Sequence, residues 1–286
     1  MTSSARRIRQ IIEPEPVIEG AGVRLKRSIG TPTLNYLDPF LLFDDFTSGN
    51  PGDYEAGFPL HPHRGIETVT YVLQGEVQHR DTLGNAGSIG AGEIQWMTAG
   101  RGIMHEEMPQ VHPEGIVGFQ LWVNLPAKLK MIKPRYQDIR SSEIREITRE
   151  NGTRIRVITG TVDGIAGPVT GIAADPTYLD VFIPPHIAFT QPIEQGHAAF
   201  AYVFAGEARF QEENGSEQLI SHPHFLVFGD GDVVTATTGP YSVRLLLVSG
   251  QPLGEPIARY GPFVMNTEEE IEQTLLELRR GTFATT

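Results

Sequence analysis

The segment Tyr71-Val72-Leu73-Gln74-Gly75-Glu76 recurs in the second half of the chain as Tyr202-Val203-Phe204-Ala205-Gly206-Glu207. A second match follows in the same order, because Gly90-Ala91-Gly92-Glu93-Ile94 resembles Gly229-Asp230-Gly231-Asp232-Val233. Ordered self-similarity of this kind indicates a repeated structural unit, and the slightly larger offset of the second match corresponds to one short insertion. The matched segments combine β-branched and aromatic residues with glycine turns. The sequence therefore predicts two copies of one β-rich unit.

Several further segments are typical of strands, because they are rich in β-branched and aromatic residues and are bounded by turn-forming residues. These predicted strands cover residues 67–73, 118–125, 154–159, 178–183, 199–204 and 242–248. One long helix is predicted at about residues 268–280, with Asn266 or Thr267 as its cap and acidic residues in its first turn. Ile271, Leu275 and Leu278 would share one face of that helix. Residues 126–142 are interpreted as a linker that contains a turn or a short helix.

We expect these strands to close into barrels. A closed antiparallel barrel hides the sheet edges and leaves an interior that holds one small ligand. We therefore predict an all-β fold of two double-stranded β-helix (jelly-roll) barrels followed by a C-terminal α-helix. The 286 residues suffice for two domains, which we place at residues 1–135 and 136–286.

The overall charge and the absence of cysteine narrow the functional classes. The formal net charge is −12, which opposes direct binding to nucleic-acid phosphates or to anionic membranes. The densest basic segment, Arg6, Arg7 and Arg9, is interpreted as a solvated terminus. No apolar segment approaches the ~18 residues of a membrane helix and no signal-peptide pattern is found, so a cytoplasmic protein is expected. Without cysteine, any metal site has to use histidine and carboxylate ligands.

The pair His61-Pro62-His63 is the sharpest candidate for such a site. Residues i and i+2 of a strand point to the same face, so both imidazoles would enter one volume. Pro62 lacks a backbone donor, which favours the start or the edge of a strand. His105 and Glu107 have the same spacing about forty residues later. A lone His-x-His is more often structural than metal-binding, but two such pairs in one repeat copy predict a site for a divalent transition metal.

The second repeat copy lacks the equivalent residues. In the first alignment His61 and His63 correspond to Pro192 and Glu194, and in the second His105 and Glu107 correspond to Arg244 and Leu246. We therefore predict that the second barrel binds no metal through these positions. His222-Pro223-His224 belongs to a different part of the repeat and is interpreted as structural or exposed.

At these motifs the chain resembles the pirin family of the cupin superfamily, over about residues 5 to 280. The segments that carry the resemblance are residues 58–69 (FPLHPHRGIETV), 95–105 (QWMTAGRGIMH), 120–125 (QLWVNL), 43–46 (FDDF) and 261–267 (GPFVMNT). The resemblance implies a bicupin with metal only in the first barrel. It also implies that the metal ligands are His61, His63, His105 and Glu107. The metal implied is Fe(II), with Mn, Ni, Co, Cu and Zn as alternatives.

Glu67 competes with Glu107 as the carboxylate ligand. The generic cupin pattern offers Glu67, but the distance from Glu67 to Gly75 is one residue longer than in that pattern. The pirin resemblance favours Glu107, and Glu67 is then expected beside the ligands.

The resemblance further implies quercetin 2,3-dioxygenase activity, in which O₂ opens a flavonol ring and carbon monoxide is released. Glu107 would be the catalytic base that takes the 3-hydroxyl proton. The substrate is a planar aromatic compound, for which the candidate wall residues are Phe43, Phe46, Trp96, Met97, Met104, Phe119 and Trp122. Two alternatives stay open: a metal- or redox-responsive regulator that binds a protein partner, as pirins also do, and a structural cupin with an incidental metal.

Overall fold

The computed structural model describes residues 3–284, which form many short strands and one α-helix. The first thirteen strands are β1 (Ile8–Ile12), β2 (Glu15–Glu19), β3 (Val23–Ile29), β4 (Phe40–Asp45), β5 (Phe58–His63), β6 (Ile66–Gln74), β7 (Val77–Asp81), β8 (Ala86–Ile89), β9 (Glu93–Thr98), β10 (Ile103–Pro109), β11 (Val117–Asn124), β12 (Arg135–Ile139) and β13 (Glu146–Thr148). The remaining strands are β14 (Arg154–Thr159), β15 (Thr161–Val162), β16 (Ile165–Ala166), β17 (Thr177–Ile183), β18 (Ala188–Pro192), β19 (Ala198–Gln211), β20 (Glu217–Ser221), β21 (His224–Phe228), β22 (Val233–Thr237), β23 (Val243–Gly250), β24 (Ala258–Tyr260) and β25 (Phe263–Met265). The helix α1 covers Glu268–Arg280, and short 3₁₀ turns cover Pro51–Asp53, Ala127–Leu129 and Ser141–Glu143.

The strands form two compact units, and each unit is a cupin barrel. The first barrel comprises residues 15–141 and 253–284, and the second barrel comprises residues 3–14 and 142–252. Residues 3–14 thus belong to the second barrel and residues 253–284 to the first. The predicted domain boundary at residue 135 stays a prediction. No described helix has the length and apolar character needed to span a membrane.

Two large sheets form the first barrel, and the two-stranded sheet β24-β25 belongs to the same unit. A seven-stranded sheet has the order β12-β9-β6-β11-β4-β3-β2, and a four-stranded sheet has the order β5-β10-β7-β8. Strand β5, which contains the His-Pro-His segment, lies at the edge of the smaller sheet, as the proline predicts.

The second barrel is built around one branched sheet of ten strands, whose main path is β1-β21-β19-β23-β17-β14-β13. Its interior is filled by the alternate residues of these strands, as expected for a closed sheet with one face in the core. Ile155 and Val157 of β14, and Leu245 and Leu247 of β23, belong to this buried apolar cluster.

The six predicted strands all exist, with shifts of a residue or two at most of their ends. The main exception is β19, which continues to Gln211 where the prediction ends at residue 204. The helix was predicted correctly: Thr267 is its cap, and the side chains of Thr267 and Glu270 form a reciprocal capping box. Ile271 is buried in an apolar cluster with Leu275 and Leu278 packed against it.

The turn or short helix predicted within residues 126–142 is present as the 3₁₀ turn Ala127–Leu129, but the interpretation of the segment as a linker is wrong. Residues 135–139 form β12, which pairs with β9 in the large sheet of the first barrel. Lys130 is also buried there. Lys130 contributes a buried polar contact and Ile139 a buried apolar one.

The interpretation of the basic terminus as solvated is also wrong for Arg6, which is 2% exposed. Its guanidinium donates hydrogen bonds to the carbonyl oxygens of Gly231, His197 and Glu194 in the second barrel. Backbone carbonyls thus compensate for the burial of this charge. Arg7 and Arg9 are exposed.

Candidate metal centre

Three histidines from two neighbouring strands converge in the first barrel. Strands β5 and β10 are antiparallel partners, with His105 opposite His61 and Ile103 opposite His63. One ring nitrogen from each of His61, His63 and His105 lies within 4.8 Å of the others. The ring centroids are 4.5 to 5.1 Å apart. The two-residue spacing and the strand pairing therefore bring the three imidazoles together.

His61 is oriented by its own strand. Its Nδ1 lies 2.9 Å from the carbonyl oxygen of Pro59, and because that oxygen can only accept, Nδ1 carries the proton. The Nε2 atom is left with its lone pair, 3.0 Å from Nε2 of His63. That spacing suits an N–H···N hydrogen bond, and it equally suits two nitrogens at right angles on one metal ion, at ~2.1 Å each.

His105 distinguishes these two alternatives. It is 1% exposed, and neither of its ring nitrogens has a hydrogen-bond partner among the described residues. A buried polar nitrogen without a partner is destabilising by roughly 1–3 kcal/mol. A metal ion bound by one of these nitrogens accounts for the arrangement. The residues therefore fit a transition metal.

The protonation of the cluster also suits metal binding. Burial lowers the pKa of His63 well below its usual value, and the nearby His105 and His61 lower it further. Burial likewise lowers the pKa of His105, with smaller contributions from His61 and His79. These two rings are neutral near pH 7, which is the form that binds a metal.

Glu107 lies two residues beyond His105 on β10 and is 6% exposed. Its carboxylate is not part of the close group of three imidazoles. Its Oε1 accepts a hydrogen bond of 2.8 Å from the Thr70 hydroxyl, and its Oε2 is 3.4 Å from the amide nitrogen of Gln120. Glu107 is thus held beside the histidines by polar residues of the facing sheet.

A cavity of about 310 Å³ lies between the two sheets of the first barrel. His61, His63, Glu107, Thr70 and Gln120 all line it. Most of its remaining wall is apolar, and it is formed by Leu25, Leu42, Phe46, Phe58, Pro59, Val77, Pro109, Trp122 and Pro262. Binding pockets for small molecules have roughly this size and composition, with volumes of about 300–1,000 Å³.

Only two of the seven predicted wall residues line this cavity, namely Phe46 and Trp122. Trp122 also contacts His63 edge-on, with ring centroids 5.0 Å apart. The other five are packed elsewhere: Phe43, Trp96, Met97, Met104 and Phe119 do not line the cavity. On β4 and β11 the alternate residues face opposite ways, so Phe43 and Phe119 stack on each other instead.

Glu67 does not line the cavity either. Its Oε1 accepts a hydrogen bond of 2.6 Å from Thr98. On β6, Glu67 and Thr70 are an odd number of residues apart and therefore face opposite sides of the sheet. Burial raises the pKa of Glu67, against the effect of its hydrogen bonds.

The structure adds a polar group on the cavity wall that the sequence interpretation did not include: Arg27, Asp44, Thr70 and Gln120. The available signal was the segment Phe43-Asp44-Asp45-Phe46, in which two carboxylates interrupt an apolar strand. Carboxylates are rarely buried without a partner, so such a strand indicates a buried polar contact.

The alignment of Gly90 with Gly229 is wrong. It places the counterparts of His105 and Glu107 one strand too far along the second barrel. β22 pairs with β18 as β10 pairs with β5, whereas β23 pairs with β17 and β19 as β11 pairs with β4 and β6. The counterparts of His105 and Glu107 therefore lie on β22, and not at Arg244 and Leu246 of β23. The Gly-x-Gly bend recurs at two different corners of the barrel, which misled the alignment.

The first repeat match agrees with the topology. Gly75 and Gly206 both have positive φ, 84° and 70°, at the end of the matched strand segments. The sequences of β18 and β22 contain no histidine or carboxylate. The absence of a metal site in the second barrel stays a prediction.

Comparison with known proteins agrees with this architecture. Residues 22–123 match the pirin family, and residues 178–284 match the pirin C-terminal cupin domain. A pirin-like protein of Caulobacter vibrioides is 43% identical over 279 residues, which cover 97% of this chain and 99% of that protein. Pirin of Homo sapiens is 44% identical over 264 residues, which cover 91% and 88%.

A solved structure also matches nearly the whole chain. The crystal structure of a quercetin 2,3-dioxygenase from Acinetobacter baumannii has a TM-score of 0.86 and 31% identity, and the match covers 98% of this chain and 99% of that one. Both sequence and structure thus agree over both barrels. The chain belongs to the pirin family.

Proposed function

We propose that this protein is a metal-dependent dioxygenase that cleaves flavonols such as quercetin, using O₂ and releasing carbon monoxide. The observation that supports this most directly is the cavity, where His61, His63 and Glu107 meet a largely apolar wall and His105 lies beside the two histidines. The similarity to a quercetin 2,3-dioxygenase supports the same reaction class.

In this proposal His61, His63, His105 and Glu107 hold one divalent metal, with Fe(II) as the first candidate. When bound, the metal would supply a Lewis acid for the 3-hydroxyl and 4-keto oxygens of the flavonol and a redox centre for O₂. The three histidines contribute neutral ligands, and the apolar wall excludes water from the planar rings.

Glu107 is proposed as the base that takes the 3-hydroxyl proton of the flavonol. A carboxylate can accept a proton from a phenolic hydroxyl that lies within hydrogen-bonding reach of it. The hydrogen bonds from Thr70 and Gln120 would hold its oxygens in place as the proton arrives. The overall reaction consumes one O₂, opens the central ring and yields carbon monoxide and a depside ester.

The test is oxygen consumption together with loss of the flavonol absorbance, measured on protein reconstituted separately with Fe(II), Mn(II), Ni(II), Co(II), Cu(II) and Zn(II). His61→Ala is expected to lose both bound metal and turnover. Glu107→Gln is expected to lose turnover. The dioxygenase proposal is wrong if no metal form of the native protein consumes O₂ with quercetin.

His224→Ala is the matched control, because it removes an imidazole from the second His-Pro-His segment, far along the chain from the cavity residues. It is expected to retain metal and turnover. Full metal content in His61→Ala would contradict the ligand assignment even if turnover were lost.

A second candidate function is a metal- or redox-responsive regulator that binds a protein partner. One contact favours it: Arg64, directly after His63, is 3% exposed and pairs with Glu277 of α1 at 2.6 Å. Its Nη1 also donates to Thr274 of the same helix. A change at the metal could thus be transmitted from β5 to the surface of α1.

The regulator predicts a partner whose affinity differs between the Fe(II) and Fe(III) forms. Affinity capture with both forms, followed by mass spectrometry, measures this. Identical partners at identical yield in both forms would count against the regulator.

A further inference from the structure

A row of four polar side chains crosses the large sheet along the cavity. In the strand register, Thr70 of β6 lies opposite Gln120 of β11, Gln120 lies opposite Asp44 of β4, and Asp44 lies opposite Arg27 of β3. All four residues line the cavity. Thr70 and Gln120 contact Glu107, so one end of the row belongs to the candidate metal centre.

The other end of the row is a carboxylate–guanidinium pair. Nε and Nη2 of Arg27 donate to the two oxygens of Asp44 at 2.7 and 2.8 Å, and Nη1 donates to Glu19 at 2.8 Å. Asp44 is 5% exposed. Neighbouring strands are ~4.8 Å apart, so Asp44 lies two strand spacings, about 10 Å, from Thr70, and Arg27 lies one strand further.

The pair retains hydrogen-bonding capacity. A carboxylate has about four acceptor positions, and Arg27 occupies two of those of Asp44. A guanidinium has about five N–H groups, of which Arg27 uses three here. A phenolic hydroxyl both donates and accepts, so it matches this mixed pair. A free carboxylate ligand matches it less well, since repulsion by Asp44 and Glu19 offsets the attraction of Arg27.

We propose that Asp44, held by Arg27, is the specificity-determining residue of the cavity and binds a hydroxyl group of the substrate that is remote from the metal-bound hydroxyl. The substrate class is therefore a planar polyphenol with hydroxyl groups at two separate positions, rather than any 3-hydroxyflavone. This inference rests on the proposed function for the orientation of the substrate, but it concerns binding and not turnover.

Anaerobic titration of the metal-loaded protein separates binding from reaction. Three ligands are compared by their absorbance change: 3-hydroxyflavone, galangin, which adds hydroxyls on the fused ring, and quercetin, which also adds two on the pendant ring. A hydrogen bond to a charged acceptor predicts about tenfold tighter binding, or more, for a ligand that carries the recognised hydroxyl. If affinity rises from 3-hydroxyflavone to galangin, a hydroxyl of the fused ring contacts Asp44. If it rises only from galangin to quercetin, a hydroxyl of the pendant ring does.

Asp44→Asn is expected to abolish this advantage and to leave the affinity for 3-hydroxyflavone within about twofold. Asp180→Asn is the matched control, because Arg244 in the second barrel likewise donates two hydrogen bonds to the oxygens of Asp180, at 2.9 and 2.7 Å. Asp180 does not line the cavity, so the control is expected to keep the full ligand preference.

The inference is overturned if the native protein binds all three ligands equally or binds none of them, or if Asp44→Asn weakens all three to the same degree. The ligand series on the native protein needs no variant, so a variant that fails to fold does not remove the test. Turnover without a ligand preference would overturn this inference and leave the dioxygenase standing. A ligand preference without oxygen consumption would support the role of Asp44 in binding and overturn the dioxygenase proposal.

Discussion

At the scale of single residues, the proposed reaction depends on how Glu107 is held. The Thr70 hydroxyl lies 2.8 Å from Glu107 and 2.6 Å from the side-chain oxygen of Gln120, yet it has one proton. It therefore donates to one of the two oxygens at a time. In the proposed reaction, a proton that arrives on Glu107 would free the Thr70 hydroxyl to turn towards Gln120, so Thr70 could adjust to both protonation states of the proposed base.

Thr70→Val tests this role, because valine has nearly the same shape and no hydroxyl. The three histidines are unchanged, so metal content is expected to stay the same. Turnover number is expected to fall about tenfold or more, since a hydrogen bond to a charged group contributes roughly 1.5–3 kcal/mol. Thr68→Val, two residues earlier on β6 and outside the cavity lining, is the control. Equal turnover in Thr70→Val and the native protein would show that the hydroxyl does not assist Glu107.

At the scale of elements, the strand that carries His61 and His63 is secured by the C-terminal segment. Residue 64 bridges to Phe263 of β25, and Gly65 lies so close to Val264 that an added Cβ would be 1.9 Å from its carbonyl oxygen. Gly65 also has a φ of 78°, which disfavours any other residue. The close approach explains why glycine follows the His-Pro-His-Arg segment.

Lys130 completes this connection. It is 1% exposed, and its Nζ donates to the carbonyl oxygens of Gly65 and Val264 and to the side-chain oxygen of Asn124, at 2.9, 2.9 and 2.6 Å. Burial lowers the pKa of Lys130 to about 8. One buried ammonium group thus joins the loop after β5, the end of β11 and β25.

Lys130→Met is expected to lower the free energy of unfolding by about 3 kcal/mol, because three buried acceptors lose their donor. The measurement is chemical denaturation at pH 7. Lys128→Met, at an exposed position of the same segment, is the control and is expected to change little. A stability loss that is equal in both variants would contradict the role of Lys130.

The pH dependence of stability supplies a second measurement on the same residue. Above about pH 8 the native protein releases the Lys130 proton, whereas the unfolded chain keeps it up to about 10.5. The unfolded state then binds more protons, so the contribution of Lys130 to the free energy of unfolding rises between these pH values. Lys130→Met is expected to lack this rise. If both proteins showed the same pH profile from 8 to 10.5, the lowered pKa would be contradicted.

At the scale of the whole molecule, the two barrels share one fold but differ in the residues that fill their interiors. The interior of the first barrel holds polar residues on both sheets around a cavity. The interior of the second barrel is filled by a large buried apolar cluster, to which most of its strands contribute. Burial of this apolar cluster stabilises the second unit.

Metal analysis is expected to give one ion per chain, and saturating metal is expected to raise the melting temperature because it binds the native state. His61→Ala should lose both effects. His222→Ala and His224→Ala, in the second barrel, should lose neither. Two ions per chain in the native protein, or a loss of metal in the second-barrel variants, would contradict the assignment of the site to the first barrel.

The repeated β-rich unit, the strands, the capped helix and the two pairs of residues at i, i+2 spacing could all be predicted from the amino-acid sequence. These features are local, since strand alternation and helix caps depend on residues a few positions apart. The sequence did not predict which aromatic residues face the cavity, the placement of Glu67, or the strand of the second barrel that corresponds to β10. These features follow from the tertiary fold, because they depend on which strands become neighbours. For the same reason, the row Thr70, Gln120, Asp44 and Arg27 is invisible in the linear order: each of its members comes from a different strand.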